Sequence, residues 1–257
     1  MRTVSQVADV LAERTNPGAA PSWDPVGLQL GDPNAAVETV AVCHEVTESV
    51  VSRLETEPVD LLITYHPLIF RPTIRILAGR SAGARAFRLI SADVAVLVTH
   101  TDFDAAPGGS ADALASFFGL RDVEPFGGDP ESGMPPIGRS GWFEGTVGTV
   151  DAMLSDRFGA AGLRVSGDRD AEVERLAVVP GSGADFIEAA AEVAQVLVTG
   201  DVSHHRAIAA SDLGLAIVDP GHIATERPGM GSLVMMVTEL LGSHVVDLTH
   251  FDPQTWT

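Results

Sequence analysis

The chain contains no lysine: all 16 of its basic residues are arginine. Schiff-base chemistry on a lysine and the phosphate-cradling lysine of P-loop proteins are thereby excluded. Cysteine is nearly absent as well. Cys43 stands alone, so neither an intramolecular disulfide nor a cysteine-rich zinc site can form. No stretch approaches the roughly 20 apolar residues that a membrane-spanning helix requires. The N-terminal "MRTVSQVADVLAERTNP" has apolar residues at helical spacing, without the uninterrupted core of a signal peptide. A cytoplasmic location and no membrane partner are the expectations. Positive charge is scarce: 35 acidic residues against 16 arginines give a formal charge of −19. That charge repels polyanions over most of the surface and argues against nucleic acid as a main partner. There is also a single tyrosine, Tyr65, placed in "ITYHPLIF" beside His66 where an apolar run ends.

What is present is a chain of 257 residues, 45% hydrophobic, enough to bury a substantial core. Short β-branched runs alternate with alanine-rich helical stretches, the pattern of βαβ units around a largely parallel sheet. Strands are expected in "TVAVCHEV", "VDLLITYH" and "DVAVLVTHTDFD", and again in "VERLAVVP", "AQVLVTGD" and "LGLAIVDP". Helices are expected between and after them. Val42 to Thr64 and Val178 to Thr199 each read as strand, helix, strand, so the fold class is α/β with two similar halves. The segment "VEPFGGDPESGMPPIGRSG" is dense in Gly, Pro and acidic residues and reads as a linker. The expected division is therefore 1–125 and 126–257, with the last segment packing back on the first half.

In parallel α/β sheets ligands sit beyond the carboxyl ends of the strands. Those ends carry Tyr65 and His66; His100, Asp102 and Asp104; Asp201, His204 and His205; and Asp219, His222 and Glu226. Imidazoles mixed with carboxylates suit zinc, manganese or iron better than magnesium. If "HTDFD" is extended, its period of two sets His100, Asp102 and Asp104 on one side. If "HIATE" opens a helix, His222 and Glu226 share a face. Plainer roles compete: Asp102 and Asp104 as helix caps, and one of the adjacent His204 and His205 as structural. His44, His244 and His250, in strand-like stretches, read as satisfied histidines. "PGSGADF" reads as a tight turn or as an anion-binding helix start.

"WDPVGLQLGDP", "VDLLITYHPLIF", "VTHTDFDAAPGGSADALA", "VVPGSG" and "VTGDVSHHRAIAASDLGLAIVDPGHIATE" together resemble the Nif-three-like dinuclear metal centre family. Its members include homologues of GTP cyclohydrolase I type 2. The resemblance runs over nearly the whole chain, with the motifs in the family's order, and matches the short form. It implies two α/β halves facing each other across a metal-binding cleft, assembled as a toroidal homohexamer. It also implies metal ligands at His66, Asp104, His222 and Glu226, with Glu226 bridging. The family's first histidine of a His-His pair falls on Tyr65, a departure that makes the tyrosine either a ligand or a packed neighbour. His100 is implied as a proton carrier beside the metals, and Asp24 as an acidic residue near the pocket. One or two divalent transition metals per chain (Zn, Mn or Fe) would serve a hydrolase acting on a nucleotide or related small molecule. The rival expectation is a non-catalytic metal-binding or regulatory assembly.

Overall fold

The computed structural model describes residues 1–79, 81–129, 131, 133–159, 162–242 and 245–251. His244 lies outside them. The helical spacing at the N-terminus becomes a helix because its start is well capped. Thr3 accepts from the Gln6 backbone N–H and the Gln6 side chain accepts from the Thr3 N–H, a reciprocal capping box.

In chain order, residues 1–106 form β1 (Arg2–Thr3), α1 (Val4–Thr15), β2 (Gly27–Leu30), β3 (Ala36–Val37), β4 (Val40–Cys43), α2 (Glu48–Thr56), β5 (Leu61–Thr64), α3 (Ala82–Ser91), β6 (Ala95–Val98) and α4 (Thr101–Ala105). Then follow α5 (Ser110–Phe117), β7 (Arg121–Phe126), β8 (Gly138–Thr146), α6 (Val147–Phe158), β9 (Arg164–Ser166), β10 (Glu172–Ser182), α7 (Ile187–Val193), β11 (Val196–Gly200), α8 (His204–Asp212) and β12 (Ala216–Asp219). The long α9 (His222–Leu241) and β13 (Val245–Asp247) complete the series.

The described residues divide into two compact units, 1–106 with 230–251, and 107–229. The first holds a five-stranded sheet in the order β13-β4-β5-β6-β2, parallel except for the edge strand β2. Its alternation is clean. Val40, Val42, Leu61, Ile63, Ala95 and Leu97 face a core with α1 and the C-terminal part of α9. Ala41, Cys43, Leu62, Val96 and Val98 face the opposite core, with α2 and α3. Right-handed crossovers between adjacent parallel strands put α2 and α3 on that one face. Leu61, Leu62 and Ile63 are almost completely buried, each contributing roughly 1.5–3 kcal/mol by burial.

The second unit holds a six-stranded sheet, β7-β8-β10-β11-β12-β9. Its centre, β10-β11-β12, is parallel, and antiparallel strands flank it on both edges. Leu114 and Ala115 of α5 and Val147, Val150 and Leu154 of α6 cover one face, against Leu176, Val178, Val196, Val198 and Val218. The βαβαβ arrangement of β4 to β6 thus recurs in β10 to β12.

Two expectations need correction. The division falls after Ala106, not near 125, because α5 packs on β10 and belongs with the second sheet. The expected linker segment also contains the end of β7 and the start of β8. Pro125 fits there because β7 is an edge strand. Moreover, "HTDFD" is not extended: Thr101–Ala105 is helical, with His100 as its N-cap residue.

Candidate metal centre

In the first unit the site begins where the parallel ladder runs past the strand ends. Tyr65 N–H donates to the Cys43 carbonyl at 3.1 Å and His66 N–H to the His44 carbonyl at 2.8 Å. Two more residues are thereby paired beyond Cys43 and Thr64. The Thr64 hydroxyl clamps the turn by donating to the His66 carbonyl at 3.0 Å. Four rings result in one cluster. His66 lies 5.0 Å from His44, 5.0 Å from Tyr65 and 5.2 Å from His100, centroid to centroid. Tyr65 is 5.5 Å from His44 and 5.4 Å from His100. His44 and His66 each bring a ring nitrogen within 4.8 Å of the other's.

The helical turn of α4 separates the two aspartates that an extended strand would have aligned. Asp102 folds back: its Oδ1 accepts from the His100 N–H at 2.7 Å and the Thr99 hydroxyl at 3.1 Å. Burial pushes its carboxyl above the usual range, against the hydrogen bonds from Thr15, His100, Thr99 and Phe103. Asp102 thereby ties the start of the helical turn back to the end of the preceding strand. Asp104 is also buried, and its Oδ1 accepts from the Tyr65 hydroxyl at 2.6 Å. The phenol proton is therefore committed to Asp104 in this arrangement. His100 Nδ1 donates to both oxygens of Asp24 at 3.0 Å, and Asp24 also accepts from the Thr101 N–H and hydroxyl. Burial tends to raise the Asp24 carboxyl, but these bonds and the imidazole hold it below its ordinary value. Asp24 thus fixes Nδ1 of His100 as the donor and sets the tautomer of the ring.

The second unit carries its donors on the first turns of α9. "HIATE" does open a helix, and His222 Nε2 lies 2.9 Å from Glu226 Oε1. On the other side of the ring, His222 Nδ1 donates to Asp201 Oδ2 at 2.8 Å. Asp201 holds this position in a left-handed conformation, φ 58°. Burial works against the His222 imidazolium, yet the Glu226 and Asp201 carboxylates outweigh it and raise the pKa to about 9. The protonated ring satisfies both carboxylates, and a metal ion at Nε2 would take the place of that proton. Two donors each about 2.0–2.1 Å from one tetrahedral ion lie about 3.4 Å apart, so the 2.9 Å pair would open by about half an ångström to take one. The backbone leaves that space open. Gly181, φ +66°, faces the pair, and a Cβ there would stand 2.6 Å from Glu226 Oε1 and 3.3 Å from His222 Nε2. A Cβ on Gly200 would likewise meet the His222 backbone N at 2.6 Å. The donor types and this cradle fit a divalent transition metal.

Other candidates have different roles. The N–H groups of Gly181 and Gly183 in "PGSGADF" donate to the Thr225 and Thr199 hydroxyls, so the glycine turn is structural. Asp219 is bound by Arg164 and by the Val202 and Gly221 N–H groups, which ties two loops together. His204 and His205 are exposed on the first turn of α8, their rings 5.6 Å apart. His250 is exposed against Phe251. Sequence reasoning passed over His44. The available signal was its place one residue past the end of β4, level with Tyr65 at the end of the adjacent strand.

The relatives agree with this architecture. A "GTP cyclohydrolase 1 type 2 homolog" from Streptomyces coelicolor is 33% identical over 259 residues, spanning 96% of this chain and 90% of that protein. One of the same description from Clostridium perfringens is 31% identical over 231 residues, spanning 87% of this chain and 86% of its own length. The crystal structure of a Bacillus cereus protein related to NIF3 superposes with a TM-score of 0.87 at 22% identity, over 100% of this chain and 99% of that one. That likeness shows a shared fold. The sequence profile of Duf34/NIF3 (NGG1p interacting factor 3) matches residues 2–253, and the chain belongs to that family.

Proposed function

We propose that this protein is a metal-dependent hydrolase of a nucleotide or related small molecule. Its metal ligands would be His66 and Asp104 from the first unit and His222 and Glu226 from the second. Joining the two donor sets in one centre rests on the sequence resemblance. The observation that carries the metal reading is local to the second unit: His222 held between Asp201 and Glu226 above the Gly181 cradle.

The chain's own residues have definable tasks in such a centre. Asp201 fixes the His222 tautomer by accepting from Nδ1, which turns Nε2 toward the metal position, the usual outer-carboxylate arrangement of metal-bound histidines. Tyr65 orients Asp104 through its 2.6 Å bond. Asp24 orients His100 by holding Nδ1, and His100 would then take a proton from an attacking water and return it to a leaving group. When bound, a divalent ion supplies Lewis acidity, polarising a substrate oxygen and acidifying water. A nucleotide is favoured as substrate by the description that the relatives carry, although a shared fold does not itself fix a reaction.

Elemental analysis of the purified protein, followed by turnover on a panel of nucleotides with and without Zn, Mn or Fe, tests this reading. Metal-dependent product formation supports it. Bound metal with no turnover on any member favours the non-catalytic assembly.

A further inference from the structure

We propose that His44 joins His66 as a nitrogen donor of the metal centre, and that Tyr65 is a positioning residue acting through Asp104. The inference rests on the metal-binding reading above and assigns roles within it. His44 is 1% exposed, and it lies one residue beyond Cys43 just as Tyr65 lies one beyond Thr64. Strand alternation places both on the side of the sheet occupied by Val42 and Ile63. The His66 N–H bond to the His44 carbonyl fixes the two backbones side by side. The two imidazoles then present nitrogens within 4.8 Å of each other.

The choice between phenol and imidazole is decided by what each ring already holds. The Tyr65 hydroxyl donates to Asp104 at 2.6 Å, within the short range of charge-assisted O–H···O bonds. To ligate, it would have to surrender that proton and deprive a buried carboxylate of a donor. As a positioning residue it does neither. The bond holds Asp104 Oδ1 and fixes the orientation of the carboxylate. A fully buried phenol, 0% exposed, is rigid enough for that task.

The test uses the full-length protein and Co2+ alone, with binding read by equilibrium dialysis and geometry by d–d absorption. His44→Gln and His44→Leu should weaken Co2+ binding on the order of 100-fold or more and change the band shape. Tyr65→Phe should weaken it about 10–100-fold, the range for losing a residue that orients a ligand, with band shape kept. Adding Tyr65→His to His44→Leu should recover at least part of the loss, because the new imidazole starts level with the old on the adjacent strand. Thermal melts of His44→Gln and Tyr65→Phe separate metal loss from unfolding. The inference is overturned if the folded His44 variants bind Co2+ as wild type does while His66→Ala does not. It is equally overturned if Tyr65 gives a phenolate-to-metal charge-transfer band in the ferric protein. If wild type takes up no metal, or His66→Ala and Glu226→Ala both bind normally, the metal reading fails first and carries this inference with it.

Discussion

Replacing Gly181 with alanine tests the cradle around His222 and Glu226 most directly. Two penalties combine there. A φ of +66° is a left-handed conformation that costs a Cβ-bearing residue about 1–2 kcal/mol. The new Cβ would also fall 2.6 Å from Glu226 Oε1, and overpacking of that kind costs a further ~1–3 kcal/mol. The matched control is Gly214→Ala, with φ +75° and nothing within 4 Å of the added carbon. It should show the backbone penalty alone. Chemical denaturation of both variants without added metal should therefore place Gly181→Ala below Gly214→Ala by about 1–3 kcal/mol. Metal affinity supplies the second readout. Glu226 cannot keep its position beside the new methyl, so Gly181→Ala should lose at least about tenfold in affinity, or ~1.4 kcal/mol. Gly214→Ala should lose nothing. If Gly181→Ala binds metal as tightly as the control, Glu226 is not a ligand where α9 places it, and the cradle argument is refuted.

Asp104→Ala should lower metal content more than Asp102→Ala; the latter should instead cost about 1–3 kcal/mol of stability, because it removes the acceptor of the Thr99 hydroxyl and the His100 N–H. Elemental analysis beside thermal melts separates them, and equal metal loss would contradict a ligand role for Asp104 and a structural role for Asp102. Asp60 provides a pH test remote from the site: burial tends to raise its pKa, but hydrogen bonds from Thr39 and Glu38 lower it below 3.8. A depressed carboxyl stabilises the fold above the unfolded value and loses that contribution as pH falls through the folded one. The stability gap between wild type and Asp60→Asn, measured by denaturation, should thus be full near neutrality and shrink in acid below pH 3.8; a gap that is constant across that window would refute it. The resemblance also predicts a homohexamer, so light scattering in moderate salt should give six times the 26.9 kDa chain mass, and a stable monomer would exclude the toroid.

Much of the fold was legible because its signals are local. The alternation of Val40 to Cys43 and Leu61 to Thr64 reports two buried sheet faces, and the apolar spacing of Val4, Val7 and Leu11 reports α1. The strand-end rule singled out Tyr65, His66 and His100, which share one ring cluster, and the paired His222 and Glu226. It failed at "HTDFD", where an aspartate side chain decides between an extended chain and a helical turn. Asp102 binds the His100 N–H and settles it as a turn. His44 was hidden for another reason: a histidine following four buried residues resembles one satisfied in a core. Its relation to Tyr65 depends on the register of β4 against β5, which involves residues about twenty apart. Asp201 was visible as a strand-end carboxylate, but its bond to His222 depends on a left-handed backbone that sequence patterns do not specify.

The place of β13 bears on the order in which the molecule can be made. This strand lies beside β4, and Met230, Leu233, Met236 and Val237 of α9 help fill the core on one face of the same sheet. A ribosome releasing the chain from its N-terminus delivers β1 to α4 first, yet that unit lacks an edge strand and part of its core until residues 230–247 emerge. The intervening unit, residues 107–229, is contiguous and can assemble as soon as it has appeared. Until then β4 offers an unpaired parallel edge of Val, Ala, Val and Cys, a surface prone to wrong partners. The first unit is therefore begun first and completed last, and truncation before residue 245 should send nascent protein toward aggregation rather than leave a trimmed but folded molecule.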